Sequence, residues 1–245
     1  MVILLTNDDG IEAEGLLALK KELSKIGEVW VIAPSGEQSA VSHSLSLHRP
    51  LEVRKIGERS YAIDGTPTDG VILGYYGILK NSPDLLVSGI NHGPNLGDDV
   101  TYSGTVAAAM EGTLLGIPSI AVSVADPNFR YFNPGAKFVK KIALFILEKR
   151  LPENTFLNIN IPAKKGKIFK YQITKLDKKK KKKVELKRIT SRGKTFYWIG
   201  KENTTWAKGK YTDYEAIKKG YISITPIKLD LTNYEVIAQV KKWNF

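Results

Sequence analysis

Two adjacent carboxylates, Asp8 and Asp9, follow the first hydrophobic segment and are the residues whose types most clearly suggest chemistry. Residues 2–5 are an uninterrupted apolar run, typical of a strand buried on both faces of a parallel sheet. Because open α/β sheets bind ligands at the carboxyl ends of their strands, the pair would lie at a binding edge. No lysine or arginine lies within ten positions, so a divalent cation best relieves their repulsion. The alternative is a turn in which one aspartate caps the next helix.

Oxygen-bearing side chains also follow the next predicted strands. Ser39 lies in a polar segment after the second strand, and Asn91 and Asn95 lie in a loop after the third core strand. Carboxylate, hydroxyl and amide oxygens together suit a hard cation such as Mg²⁺ or Mn²⁺. Zinc is not expected, because the chain has no cysteine and its three histidines lack the helical pairing of a metalloprotease.

A second feature, Ser103-Gly104-Thr105, opens an alanine-rich segment that predicts a helix over 106–115. The first turn of a helix presents unpaired N–H groups and the positive end of the helix dipole, which favour a bound phosphate. Ser103 could instead simply cap a core helix. A cation site beside an anion site on one sheet edge makes hydrolysis of phosphate esters the economical interpretation.

The elements that would position these residues alternate between strand and helix, which predicts an α/β fold with a doubly wound, mainly parallel Rossmann-like sheet over residues 1–162. The predicted strands are 2–5, 28–33, 84–88, 118–125 and 155–161, with a short hairpin at 45–54 and 60–63. The predicted helices are 14–25, 67–79, 106–115 and 134–147, and 89–102 is predicted as a loop.

From residue 163 to 245 the pattern changes to short strand-like runs, which predicts an antiparallel C-terminal extension with a β-hairpin arm and a terminal helix. We expect this extension to mediate oligomer contacts. The run of six lysines, Lys178–Lys183, is interpreted as a solvated loop, with polyanion binding as the alternative. The predicted strands are 168–174, 195–199 and 221–227, and the predicted helix is 232–243.

The net charge of +12 is distributed unevenly. Residues 1–150 hold 14 Lys+Arg and 17 Asp+Glu, a balance of −3, whereas residues 151–245 hold 23 and 8, a balance of +15. No apolar stretch approaches the roughly 18 residues of a membrane span, no signal peptide is visible and cysteine is absent, so we expect a cytoplasmic protein without membrane contact. A nucleic-acid partner for the basic part is not favoured, because its basic residues lack interleaved aromatics apart from 196–198.

Several motifs in order along the chain together resemble the SurE family. They are NDDG at 7–10, AP at 33–34 leading to Ser39, GTPTD at 65–69, SGINHGPN at 88–95, YSGTVA at 102–107 and GYISITP at 220–226. The resemblance implies a metal-dependent phosphatase of nucleoside monophosphates (a 5′- and 3′-nucleotidase), and some family members also cleave polyphosphate. It also implies a homodimer or homotetramer built through the C-terminal extension.

The resemblance assigns roles to residues already noted. It implies that one divalent cation per subunit is held by Asp8, Asp9, Ser39 and Asn91, and that phosphate is bound by Asn95, Ser103, Gly104 and Thr105. Asp8, Asp9, Asn95 and Ser103 are the expected catalytic residues. Tyr102 stands where some family members have histidine, so the resemblance leaves the general acid for the leaving alcohol open.

We expect water to attack phosphorus in line, assisted by the cation and by the amides at 103–105 with Asn95. A covalent aspartyl-phosphate is not favoured, because the familiar aspartate-nucleophile phosphatases space their aspartates one residue apart. A dehydrogenase-type domain is disfavoured, since no Gly-x-Gly-x-x-Gly follows the first strand. Polyphosphate or a sugar phosphate remains an alternative substrate.

Overall fold

The computed structural model describes residues 1–164, 170–191, 194–207 and 209–243, with side chains for all of these except 181–184 and 201–204. The strands are β1 Val2–Thr6, β2 Glu28–Pro34, β3 Val53–Gly57, β4 Ser60–Ile63, β5 Leu85–His92, β6 Ser119–Val124, β7 Thr155–Ile161, β8 Tyr171–Ile173, β9 Lys179–Ser191, β10 Lys194–Trp206 and β11 Ile222–Lys228. The α-helices are α1 Glu14–Leu23, α2 Pro67–Leu73, α3 Gly104–Leu114, α4 Asn133–Lys149, α5 Asp213–Lys218 and α6 Tyr234–Val240.

Within the described residues, nine strands form one sheet in the order β3-β4-β2-β1-β5-β6-β7-β11-β8. The six strands from β4 to β7 in this order are mutually parallel. β3 joins β4 antiparallel and β11 joins β7 antiparallel, while β8 is parallel to β11. β9 and β10 pair only with each other, as a long antiparallel arm. The mainly parallel sheet predicted from the sequence is therefore confirmed.

Helices cover both faces of the sheet and bury its apolar side chains. α1 and α4 cover one face, where Leu16 and Phe138 join the core. α2 and α3 cover the other face, where Val71 and Val106 pack with Phe156. Burial on both sides explains why β1 is almost entirely apolar and why the remaining polar residues of β6 are only serines.

The chain reverses its direction of travel across the sheet between β1 and β5, which makes their carboxyl ends the topological switch point. The pairing of β5 with β6 is irregular between Ser88 and Asn91. Gly89 lies in this bulge with φ +133°, and a Cβ there would lie 2.3 Å from the Val122 carbonyl oxygen. The bulge lets β5 continue to His92 while it changes the direction of the side chains that follow Gly89.

The structure differs from the sequence prediction in three segments before residue 103. Of the strand predicted at 45–54, only the part from Val53 onward is a strand. The residues before it form hydrogen bonds to the start of α2 and to Asp64 instead of to a neighbouring strand. One example is the Ser46 backbone N–H, which donates to Asp69 at 2.9 Å. The predicted loop at 89–102 is β5 as far as His92 and a 3₁₀ turn over Gly97–Thr101. The predicted helix at 67–79 divides into α2 and a π-helical turn, Gly74–Ile78.

The lysine run was also wrongly interpreted as a loop. Lys179 begins β9, because the neighbouring β10 supplies a full antiparallel partner for its backbone. The Lys179 side chain is only 5% exposed, pairs with Asp99 and lies 5.7 Å from the ring of Trp206. The strand predicted at 195–199 is part of the longer β10. The strand predicted at 168–174 is observed as β8, Tyr171–Ile173. Residues 168 and 169 lie outside the described residues.

The C-terminal extension is only partly separate from the rest of the fold. β11 pairs with β7 and β8 pairs with β11, so both complete the main sheet. The division at 162/163 therefore crosses a continuous sheet and stays a prediction. Along the described parts of the chain, no helix combines the length and apolar character needed to span a membrane.

A buried carboxylate joins the two helices on one face of the sheet. Glu22 of α1 accepts hydrogen bonds from Lys25 at 2.6 Å and from Lys140 of α4 at 2.9 Å. The hydrogen bond from Lys25, and next that from Lys140, lower the pKa of Glu22 below its ordinary value of 4.5. A group whose pKa is lowered on folding stabilises the fold above its unfolded pKa, and this contribution is lost as the pH falls.

We predict that Glu22→Gln lowers the free energy of unfolding by about 1–2 kcal/mol at pH 7, because two charge-assisted bonds are weakened. The difference from wild type should shrink as the pH falls below about 4.5. Urea denaturation at a series of pH values measures both. The matched control is Glu148→Gln, because Glu148 is an exposed glutamate of α4. This substitution should change the free energy of unfolding by less than about 0.5 kcal/mol. A pH-independent loss in Glu22→Gln would contradict this role.

Candidate metal and phosphate site

An open cleft of about 530 Å³ lies at the carboxyl ends of β1, β2, β5 and β6. Most residues predicted for the site line it: Asp8, Asp9, Ser39, Asn91, Asn95 and Ser103. The other lining residues are Glu37, Ala40, His92, Gly93, Pro94, Asp99, Tyr102, Pro127 and Arg130. Segments distant in sequence thus meet in one polar cleft.

Asp8 joins the end of β1 to the beginning of α3. Its Oδ2 accepts the Thr105 backbone N–H at 3.0 Å, and its Oδ1 accepts the Thr105 hydroxyl. The Asp8 side chain is 5% exposed, and burial raises its pKa while the two bonds from Thr105 oppose that change. The carboxylate is therefore held rigidly in an environment where its negative charge is costly.

Asp9 lies beside it and is held from β5. Its Oδ2 accepts the His92 backbone N–H at 3.2 Å. Burial, and next the charge of Asp8, raise the pKa of Asp9 to about 7. Two neighbouring carboxylates with raised pKa values are the pattern expected where an opposite charge completes a site.

Two neutral oxygen donors stand on either side of this pair. Asn91 follows the bulge of β5, and its amide nitrogen donates to the Gly93 carbonyl at 2.8 Å, which leaves the amide oxygen for a ligand. Ser39 lies in the segment after β2, where its hydroxyl donates to Glu37 at 2.5 Å. That segment is tied to the aspartates, because the Gln38 N–H donates to the Asp8 carbonyl at 2.7 Å.

Asn95 is fixed by a buried polar network. Its backbone N–H donates to Asn160 at 2.9 Å, and its carbonyl accepts the amides of Asn158 and Asn160 at 2.9 and 3.0 Å. Its side-chain amide donates to the Ser123 hydroxyl at 2.7 Å. Residues on β6 and β7 therefore orient Asn95 from behind the cleft.

The start of α3 offers fewer free donors than the sequence suggested. The Ser103 hydroxyl caps the helix by accepting the Val106 N–H at 3.1 Å, so the predicted cap is observed, while the phosphate-binding role of Ser103 stays a prediction. Both donors of Thr105 are directed at Asp8. Gly104 packs tightly, since a Cβ there would lie 3.1 Å from the Asp8 Cβ. Neither Gly104 nor Thr105 lines the cleft, so of the three predicted phosphate-binding residues at this turn only Ser103 does.

The sequence reasoning gave no role to several cleft residues. His92, Glu37 and Asp99 line the cleft, and the His92 ring stacks on Phe132 with centroids 4.9 Å apart. Burial, and then the charge of Arg130, lower the pKa of His92. Glu37 and His92 lie within predicted strand-end segments, so their positions could have been inferred, whereas Arg130 lies in a segment without a recognisable motif.

The donor set determines which metal these residues could hold. No group of three or more His, Cys, Asp or Glu in metal-binding geometry occurs in the parts of the chain that the structure describes. The four predicted ligands instead combine two carboxylates with one amide and one hydroxyl oxygen, a set that suits Mg²⁺ or Mn²⁺ better than zinc. Because these oxygen donors line one cleft, the residues present fit the predicted ion.

The fold and this cleft define an α/β protein with a candidate hard-metal site at the switch point of its sheet. A sequence model of the family described as "Survival protein SurE" matches residues 3–183. The "5′-nucleotidase SurE" proteins of Geotalea daltonii and Geotalea uraniireducens are 49% and 48% identical, and these matches cover 99% and 100% of this chain and 99% of each relative. The crystal structure of the SurE protein from Aquifex aeolicus superimposes with a TM-score of 0.87 at 45% identity, covering 98% of both chains.

The chain belongs to the SurE family. The match extends over the whole length of these relatives, as the motifs in the sequence predicted. The roles assigned to individual residues remain predictions that rest on the cleft's geometry.

We predict that Thr105→Val weakens metal activation about 10–100-fold, because it removes the hydroxyl that orients Asp8 at nearly constant volume. The measurement is the Mn²⁺ concentration for half-maximal phosphatase activity, with direct Mn²⁺ binding by calorimetry. Thr113→Val is the matched control, since Thr113 is a buried threonine of the same helix that donates only to Ala109. Equal metal affinity in Thr105→Val and wild type would show that the contact does not support the site.

Proposed function

We propose that this protein is a metal-dependent 5′-nucleotidase that hydrolyses nucleoside monophosphates to nucleoside and phosphate in the cytoplasm. The observation that carries the proposal is the convergence in one cleft of the buried Asp8, the partly buried Asp9, neutral oxygen donors and Ser103, which caps α3. The names of the full-length relatives support the same reaction. Whether 3′-monophosphates and short polyphosphate are also substrates is decided by the experiment below.

Asp8, Asp9, Ser39 and Asn91 would hold one Mg²⁺ or Mn²⁺ ion per subunit through oxygen atoms alone. When bound, such an ion polarises a phosphoryl oxygen and makes water more acidic. Thr105 keeps Asp8 in one orientation, and the His92 backbone does the same for Asp9. The chain's own contribution is thus to hold both carboxylates in fixed orientations toward the cleft, where burial makes their negative charge costly.

The phosphoryl group would lie against Ser103, Gly104 and Asn95. The Gly104 N–H stands at the positive end of α3, and the Ser103 hydroxyl can donate a proton while its oxygen caps the helix. Asn95 is fixed in advance by its bonds to β6 and β7, so it needs no reorganisation during the reaction. Thr105 takes part through Asp8, since both of its donors are already used.

The test is phosphate release from a panel of 5′- and 3′-nucleoside monophosphates and short polyphosphate, with Mg²⁺, Mn²⁺ or EDTA. We predict turnover of the 5′-monophosphates that EDTA abolishes and the metal restores. Asp8→Asn should lower kcat/KM by at least about 100-fold. Loss of a proposed metal ligand should cost more activity than the about 10–100-fold expected for loss of a residue that only orients a ligand.

Asp230→Asn, an exposed aspartate after β11, is the matched control and should keep wild-type kinetics. Full activity of Asp8→Asn, or activity that resists EDTA, would contradict the proposed reaction.

We also propose a homodimer or homotetramer built through the C-terminal extension. α6 has no buried residue among its seven, although Val236, Ile237 and Val240 are apolar. On the arm, Trp198 and Ile199 are 65% and 80% exposed. Apolar groups at this exposure, on two elements of the extension, favour burial against further copies of the chain.

The double substitution Trp198→Lys and Ile199→Lys should lower the mass in light scattering at micromolar concentration, because it puts charges into an apolar contact. Leu17→Lys, at a 49% exposed leucine of α1, should leave the mass unchanged. A wild-type chain that is monomeric at these concentrations would refute the oligomer.

A further inference from the structure

The charges around the cleft are unequal. Asp8, Asp9, Glu37 and Asp99 all line it, whereas Arg130 is the one lysine or arginine lining it in the described chain. The phosphoryl group of a nucleoside monophosphate is itself a dianion near neutral pH. A cation among so many carboxylates is therefore a natural place for substrate recognition.

Arg130 lies in the segment that joins β6 to α4, and its side chain is exposed at the cleft. One of its nitrogens, Nη1, donates to the Pro127 carbonyl at 2.6 Å and to the Phe129 carbonyl at 3.1 Å. These two bonds fix one end of the guanidinium group, at Nη1, to the loop that carries Arg130. Among the described residues, Nε and Nη2 have no hydrogen-bond partner, and no carboxylate oxygen lies within 4.0 Å of the guanidinium nitrogens.

A guanidinium that lines the cleft and is held in this way keeps the N–H groups of Nε and Nη2 available for a ligand. That arrangement matches two oxygens of a phosphoryl group, which guanidinium binds with paired, charge-assisted bonds. The absence of an ion pair also argues against a purely structural partner, because nearby carboxylates are present and are not bonded to it.

We propose that Arg130 is a substrate-binding residue that pairs with the phosphoryl oxygens of the nucleotide. The proposal rests on the phosphatase function proposed above. Arg130 supplies positive charge from the β6 side of the cleft, while Gly104 and Ser103 supply N–H and O–H donors from α3. It adds to the site a charged contact that belongs to the phosphoryl group and not to the base or ribose.

Arg130→Gln should raise KM about 10-fold for a nucleoside monophosphate and equally for p-nitrophenyl phosphate, which has no nucleoside. The inhibition constant of inorganic phosphate should rise by the same factor, while kcat changes less than about 3-fold. The Mn²⁺ concentration for half-maximal activity should stay the same or fall, because a cation near Asp9 is removed. A structural defect would instead weaken metal activation. Arg130→Lys should recover part of the lost affinity.

Arg54→Gln, at an exposed arginine of β3, is the control and should change none of these constants. An unchanged inhibition constant for phosphate would overturn the proposal, and a KM change limited to nucleotides would assign Arg130 to the nucleoside instead. Binding of inorganic phosphate to the Mn²⁺-loaded protein, measured by calorimetry, tests the contact without turnover. A wild-type protein that binds phosphate but hydrolyses no ester would therefore refute the proposed reaction separately from this contact.

Discussion

The contact between Asp8 and Thr105 is the interaction on which the rest of the cleft depends. It joins the carboxyl end of β1 to the first turn of α3, so the proposed cation ligand and the proposed phosphate cradle are fixed with respect to each other. Burial raises the pKa of Asp8, and the two hydrogen bonds from Thr105 offset only part of that increase. The site is therefore built in advance to accept positive charge.

The surrounding fold supports this contact from several directions. The bulge at Gly89 directs Asn91 and the His92 N–H toward the aspartates. The C-terminal extension reaches the same region, since the buried Asp213 of α5 accepts the Gly97 N–H at 2.8 Å. Gly97 follows Asn95 by two residues, so the extension helps to hold the segment that would bind phosphate. The extension thus contributes to the cleft as well as to the proposed oligomer contacts.

Much of this arrangement could be predicted because its signals are local. A buried strand followed by two aspartates, and a serine-glycine turn before an alanine-rich helix, each identify a cleft residue without knowledge of its neighbours. What could not be predicted depends on contacts distant in sequence. The use of both Thr105 donors by Asp8, the strand at Lys179 and the position of Arg130 are each decided by a partner that periodicity does not reveal.

The most direct test of the account is a crystal structure of the Mn²⁺-loaded protein, with the ion located by its anomalous scattering. We predict one ion per subunit, within about 2.3 Å of oxygen atoms from Asp8, Asp9, Ser39 and Asn91. An ion bound elsewhere, or one that contacts neither aspartate, would contradict it.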